Sequence, residues 1–303
     1  MKILCIGHAS YDISMPISEY PTENKKYRVN GKIEGGGGPA CTAAYLLGKW
    51  GMETYFAGVV GNDLYGTRIK TEYETVGVNT KYLETNYEDA TDTSFIIINQ
   101  QTGSRTILSN VSEKMQLTNK SIDLQVDVIL IDGHEYEASK QALMLNKSAI
   151  SIIDAGRPTE QVIELAGKVK YLVCSKEFAE TVSGVQIDYT NTETIVKLYQ
   201  TLKEKFNNEI IVTLEAHGAL YSINGEIKIM PGIKVKAVDT TGAGDIFHGA
   251  FTYAIANNRS LESAIKLANI TAGLSATKVG SRNSIFKYED VEIYAKNINE
   301  SIY

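Results

Sequence analysis

The sequence predicts an α/β protein, a doubly wound and mainly parallel sheet flanked by helices, with a small β-sheet lid. Three observations predict it. Short continuous apolar runs, such as Ile3-Leu4-Cys5-Ile6, recur along the chain with helical stretches between them, as in a parallel sheet covered on both faces. Two segments instead alternate apolar and polar residues, as a half-exposed ribbon does. Near the C-terminal end, Gly242-Ala243-Gly244 stands where a helical pattern (Phe247, Ala250, Phe251, Ala254) begins.

The bulk composition sets limits. The 303 residues are 43% hydrophobic, enough for one large domain spanning 1–303. A net charge of -6 and a pI near 5.4 argue against a nucleic-acid binder. Cys5, Cys41 and Cys174 have no paired or metal-ligand spacing, so buried free thiols in a reducing compartment are expected. No apolar run approaches membrane-spanning length and no targeting segment precedes the first strand, so a cytoplasmic location is expected.

Taken in order, Lys2 to Gly7 reads as a buried strand, and Asp12 follows it. Ligands of open α/β sheets bind beyond the carboxyl ends of strands, so Asp12 either holds a polyol or serves a turn. Residues 13–34, broken by Pro16 and Pro21, form the first lid segment. Residues 93–110 form the second, with a hairpin turn at Gln100 to Gly103. Between them, Gly35-Gly36-Gly37-Gly38-Pro39-Ala40 opens a helix. This string satisfies Gly-x-Gly-x-x-Ala, the mark of a nicotinamide-dependent oxidoreductase, but no buried strand precedes it. Further strands are read at 54–60, 126–131, 149–153, 171–174 and 210–214, with Asp63 capping one helix and Ser260 another. In the last helix Asn269 faces a nucleotide or bonds only to protein.

The organising stretch is Asp239-Thr240-Thr241-Gly242-Ala243-Gly244-Asp245. At a helix start, free N–H groups and the positive end of the helix dipole favour an anion. A carboxylate there is a poor anion ligand but a good general base. Asp245 could take a proton from a hydroxyl attacking a phosphorus held by those N–H groups. The bland alternative is an Asp cap after a Gly-rich turn.

This stretch resembles the second signature of the ribokinase family of carbohydrate kinases. Gly37 to Ala44 resembles the first, and the likeness extends in order over nearly the whole chain. Asp154-Ala155-Gly156-Arg157 and Cys174-Ser175-Lys176-Glu177-Phe178 resemble the branch that includes ketohexokinase and fructokinases. The resemblance implies a three-layer αβα fold and ATP-dependent phosphorylation of a sugar hydroxymethyl group. Asp245 would be the base, with Gly242, Ala243 and Gly244 the anion hole. Asp12, Gly37, Gly38 and Thr42 would hold the sugar, and Thr213, Gly218 and Asn269 would line the ATP site. The family implies Mg2+ with the ATP and, in many members, K+ or a similar monovalent cation, here beside Asp239, Thr241, Ser275 and Gly280. A homodimer through the lid is also implied.

Two departures bear on the substrate. Thr42 stands where the family usually has a sugar-contacting Asn, and Ser175-Lys176-Glu177-Phe178 replaces an Asn-x-x-Glu associated with Mg2+. Arg105, on the second lid segment, either meets an anionic substituent or is an exposed lid arginine. A nucleoside kinase of the same fold is the alternative reading, with Tyr11, Phe95 and Ile97 as a shelf for a base.

Overall fold

The computed structural model describes residues 1–29 and 31–298. Asn30, inside the first expected lid segment, and residues 299–303, at the end of the expected domain, lie outside the described residues.

The main sheet carries, among the described residues, nine strands. They are β1 (Lys2–Ile6), β4 (Glu53–Gly61), β5 (Asn79–Asn86), β8 (Val128–Ile131), β9 (Ile150–Ala155), β10 (Tyr171–Ser175), β11 (Glu209–Thr213), β12 (Ala219–Ile223) and β13 (Glu226–Met230). The second sheet holds β2 (Ser10–Ile17), β3 (Ile33–Gly37), β6 (Thr93–Asn99) and β7 (Arg105–Asn110). The helices run α1 (Pro39–Lys49), α2 (Leu64–Thr75), α3 (Tyr136–Leu145), α4 (Glu160–Ala166), α5 (Lys176–Ser183), α6 (Thr192–Lys205), α7 (Ala243–Ala256), α8 (Leu261–Ser275) and α9 (Tyr288–Asn297).

Strand order in the main sheet is β13-β12-β11-β10-β9-β8-β1-β4-β5, parallel from β11 to β5, with β12 and β13 as an antiparallel hairpin at one edge. The apolar runs explain the two covered faces. Ile3 and Cys5 of β1 enter one core with α1, α7 and α8, whereas Leu4 and Ile6 enter the other with α3 to α6. Alternation of side chains along a strand requires apolar residues at both parities when both faces are covered. The chain leaves β1 first toward β4 and β5, then returns to β1's other side with β8. That reversal opens a crevice at the carboxyl ends of β1 and β8.

Several expectations shift by a few residues. The first lid strand starts at Ser10, so Asp12 lies within β2 rather than in a loop. Gly35 to Gly37 belong to β3, and the helix begins only at Pro39, because the glycines pair antiparallel with Ser10 to Asp12. Among the described residues, 18–29 and 31–32 form no regular strand. Asp154, expected beyond a strand end, lies inside β9. The alternation of the second lid segment corresponds to β6 and β7, with the turn between them as expected. The strands β5, β12 and β13 and the helix α9 went unread. The lid sheet has the order β3-β2-β6-β7, with β2 and β6 parallel.

Asp63 caps α2 through Gly66 N–H at 2.8 Å and also accepts from Thr91, from its N–H at 2.7 Å and its hydroxyl at 2.8 Å. It therefore ties a helix to the foot of β6. An N-cap to Ala costs about 1 kcal/mol, and the two further bonds raise the loss to about 2–3 kcal/mol. Asp63→Ala should lose that much stability in urea unfolding, and a loss under about 0.5 kcal/mol would show that the tie is not made.

Candidate active site

The helix start is built by Gly242. Its φ of 73° is left-handed, and a Cβ there would come 2.7 Å from the Ser281 Cβ. The Gly242 carbonyl accepts the first ladder bond of α7, from Ile246 N–H. The N–H groups of Gly244 and Asp245 thus precede the ladder and have no helical acceptor. An added Cβ at Gly244 would meet nothing within 4 Å, so open space lies over these donors. An anion can approach them there.

Asp245 occupies the same turn and is half-buried. Burial, then the charges of Asp154 and Asp12, push its carboxyl up to about 7, with His248 and Arg105 opposing. A carboxyl in this range can accept a proton near neutral pH. An anion hole beside such a base suits deprotonation of a hydroxyl that attacks a bound phosphoryl group.

The opposite wall is Asp12. Burial pushes it up to about 6, opposed chiefly by Arg282. Ser10 and Ser281 hydroxyls each donate to it at 3.4 Å. Gly37 is glycine by close approach, since a Cβ there would fall 2.3 Å from the Asp12 carboxylate. Gly38, with φ 94°, follows as the cap of α1. Thr42 behaves otherwise. It is wholly buried within α1 and its hydroxyl has no partner, so in this structure it does not open onto the crevice. Arg105 extends from the lid, and its Nη1 donates to the Thr240 Oγ1 at 2.7 Å. The lid hairpin therefore rests on the loop that leads into the anion hole.

On the expected nucleotide side, Thr213 ends β11 and its hydroxyl donates to Cys174 O at 3.2 Å. Gly218 closes the turn after it with φ 94°. Asn269 is buried and bonds to protein through its amide nitrogen. Its Nδ2 donates to Met230 O at 3.1 Å and Pro231 O at 3.3 Å, which fixes the loop that packs against Gly218.

Around the expected cation position, Asp239 is buried and accepts from Thr241 N–H and Gly280 N–H, both at 2.8 Å. The Thr241 hydroxyl is buried without a partner, whereas the Ser275 hydroxyl is turned to its own helix at Ala272 O. A carboxylate and an orphaned hydroxyl form an oxygen donor set, which fits a hard cation.

Some residues of the site were not read from the sequence. Arg282, 4% exposed, donates to Glu72 and contacts Cys41 Sγ at 2.8 Å, between the rings of Tyr45 and Tyr73. Glu72 in turn accepts from Gly36 N–H at 3.0 Å. His248 and Asp154 pack behind Asp245. A polar residue on an otherwise apolar helix face, as His248 is among Phe247, Ala250 and Phe251, was the available signal. For the proposed base shelf, Tyr11 is buried, stacked on Tyr65 and bonded to Arg68, so it presents no free face. The glycine run lies on a lid strand rather than in a β–α turn of the main sheet, which removes the geometry a dinucleotide fingerprint requires.

Comparison with known proteins agrees with this arrangement. Residues 1–287 match the model of the pfkB family carbohydrate kinases. The chain is 25% identical over 300 residues to a ribokinase of Haemophilus influenzae, covering 94% of each chain. It is 24% identical over 310 residues to a deoxyribokinase of Salmonella typhi, covering 99% of this chain and all of the other. Its fold is similar to that of an Arabidopsis thaliana ribokinase solved with ribose and ATP, with a TM-score of 0.79 and 23% identity over 97% of this chain and 98% of that one.

The Arg105–Thr240 contact joins the lid tip to the body, assisted by Gly103 against Ala237. Arg105→Ala should accelerate amide hydrogen exchange across residues 99–105 severalfold, since a hydrogen bond to a charged group is worth about 1.5 kcal/mol or less when exposed. Unchanged exchange would show that the tip is held by other contacts.

Proposed function

The chain belongs to the pfkB family of carbohydrate kinases, and from that premise we propose that Asp245 is the base of an ATP-dependent transfer to the primary hydroxyl of a ribose-like sugar. Sugar phosphorylation at an alcohol group is the activity of this family, so what is proposed is the sugar and the residues. One observation carries the assignment. A carboxyl pushed up to about 7 stands beside unpaired N–H groups at the start of α7, under open space.

Asp245 takes the proton of the sugar hydroxyl as the oxygen approaches the γ-phosphorus. The N–H groups of Gly244 and Asp245 hold the phosphoryl oxygens, and Ala243 completes the turn. Asp12 accepts from sugar hydroxyls, while Gly37 and Gly38 let the sugar lie close to the backbone. Thr213 and Gly218 border the nucleotide, with Asn269 holding the Met230–Pro231 loop that shapes it. The lid, resting through Arg105, excludes water that would otherwise take the phosphoryl group.

Among the described residues no group of three or more His, Cys, Asp or Glu side chains is placed to hold a metal ion. Mg2+ would accompany the ATP and would supply neutralising charge to the phosphoryl group. Asp239, the orphaned Thr241 hydroxyl and the Gly280 loop would hold K+, which steadies the loop entering α7. Ser275 would have to turn from Ala272 to join them.

The ribose-like choice is supported by the ribokinase and deoxyribokinase relatives. The unavailable Tyr11 face disfavours a nucleoside. We read residues 1–303 as one catalytic domain carrying its own lid. Buried free thiols at Cys5, Cys41 and Cys174 suit the cytoplasm, and among the described residues no helix is long and apolar enough to cross a membrane. The lid's cross-strand pair Phe95 and Leu108, 42% and 57% exposed, supports a dimer in which a second copy covers it.

Asp245→Asn should lower kcat for ribose phosphorylation by about a hundredfold or more with little change in KM for ATP. Coupled ADP release over a panel of pentoses, ketohexoses and nucleosides checks this, and a variant as fast as the wild type would exclude Asp245 as base. Leu108→Lys should convert a dimer to monomer in light scattering without loss of fold. A monomeric wild type would exclude the lid dimer.

A further inference from the structure

The base must be ionised while it stands among other carboxylates, and two groups behind it bear on that. His248 lies one turn along α7, 3% exposed. Its Nδ1 is 2.7 Å from Gly244 O and 3.1 Å from Asp154 Oδ2, and its Nε2 is 3.2 Å from Val173 O. Asp154, from β9, is 8% exposed. Both ring nitrogens thus face oxygen acceptors. Only a doubly protonated ring donates to both, whereas a neutral ring would turn a lone pair toward a buried carbonyl.

Burial works against this. It pulls His248 down and pushes Asp154 up to about 8, with Asp132 adding to Asp154. The carbonyls of Gly244 and Val173 pull His248 back up. The contacts decide for the charged pair, because every polar atom of the ring is then satisfied and its counter-ion is at 3.1 Å. The other charged or titratable groups facing this set are Asp132 from β8 and Cys174 from β10 at Asp154, and Asp12 from β2 and Arg105 from β7 at Asp245.

We propose that His248 and Asp154 are positioning residues for the reaction, a buried ion pair that fixes the first turn of α7 and sets the charge state of Asp245 from opposite sides. The imidazolium favours the ionised base and adds positive potential beneath the anion hole. Asp154 limits that effect, so that Asp245 remains basic enough to accept a proton. The inference rests on Asp245 being the base.

The test is the pH profile of kcat for the full chain with Mg2+, ATP and ribose, in wild type, Asp154→Asn and His248→Asn. Asp154→Asn should move the acid limb about one pH unit lower, and His248→Asn about one unit higher. KM values should change less than about threefold. A merely structural pair would slow both variants without moving the limbs apart. Limbs that stay put, or move in the same direction, overturn the proposal. If either variant fails to fold, imidazole 15N shifts of the wild type decide it, since the chain has only four histidines. His248 should carry protons on both nitrogens near neutral pH, and a neutral ring overturns the proposal. An Asp245→Asn variant that keeps the wild-type acid limb would instead refute the base assignment itself.

Discussion

The site depends on the buried carboxylate of Asp239. One oxygen accepts from Thr241 N–H in its own loop, and the other from Gly280 N–H beyond α8. A carboxylate 1% exposed is retained only where such donors compensate its lost hydration. These two bonds join the segment that enters α7 to the segment that follows α8. Ser281 and Arg282, next in the chain, are thereby positioned. Ser281 reaches Asp12 and the Gly36 carbonyl, and Arg282 reaches Glu72, which holds the Gly36 N–H. The Asp245 side of the crevice and the Asp12 side are therefore registered against each other through one stretch, 239 to 282, closed on itself. A cation beside Asp239 would bear on both sides at once.

The electrostatics of the crevice follow from its place in the sheet. Asp12, Asp132, Asp154 and Asp245 converge near the carboxyl ends of β1, β8 and β9, where Asp132 raises the proton affinity of Asp154, and Asp154 and Asp12 raise that of Asp245. Asp132 is held there by His8 N–H at 2.9 Å, Ala40 N–H at 3.2 Å and His134 N–H at 3.0 Å. Opposing charge comes from Arg282 at Asp12 and from Arg105 and His248 at Asp245. With a net charge of -6, the chain attracts ATP through no general field. In the proposed reading, local donors, chiefly the bare N–H groups of α7, do so instead.

What was legible in the sequence was whatever rests on periodicity or local backbone chemistry. The buried strands 171–174 and 210–214, the caps Asp63 and Ser260 and the helix start after Gly242 are of this kind. The lid's second segment was legible because one face of β6 is buried at Ile96 and Ile98 while Phe95 is exposed. Short edge strands such as β12 and β13 were not, since their pattern resembles that of any polar loop. Thr42 shows the limit for site residues. Its position matches a motif, but whether a hydroxyl reaches the crevice depends on the packing of α1 against α7, which no local pattern encodes. Arg282 is the converse, a charged residue buried by aromatic rings and Glu72 that are remote in sequence.

The lid's two ends are held unequally, and this bears on how the site opens. At its base, Asp92 is buried and ties β2 to two neighbouring loops. Its carbonyl accepts from Tyr11 N–H of β2 at 2.8 Å, its Oδ1 from Ser112 N–H beyond β7 at 3.0 Å, and its Oδ2 lies 2.8 Å from His8 Nε2 between β1 and β2. Thr91 beside it is tied to Asp63. At the tip, an exposed arginine bonds the Thr240 hydroxyl, which itself donates to Gly103 O at 3.4 Å, and that glycine packs on Ala237. Buried bonds to a carboxylate cost more to break than these exposed contacts to a neutral hydroxyl. The tip is thus the contact that yields first, and the base acts as the hinge. Under the assignment proposed above, release at the tip would uncover the Asp245 side of the crevice while leaving Asp12 on its strand, so a sugar held by Asp12 would keep its anchor as nucleotide enters and leaves.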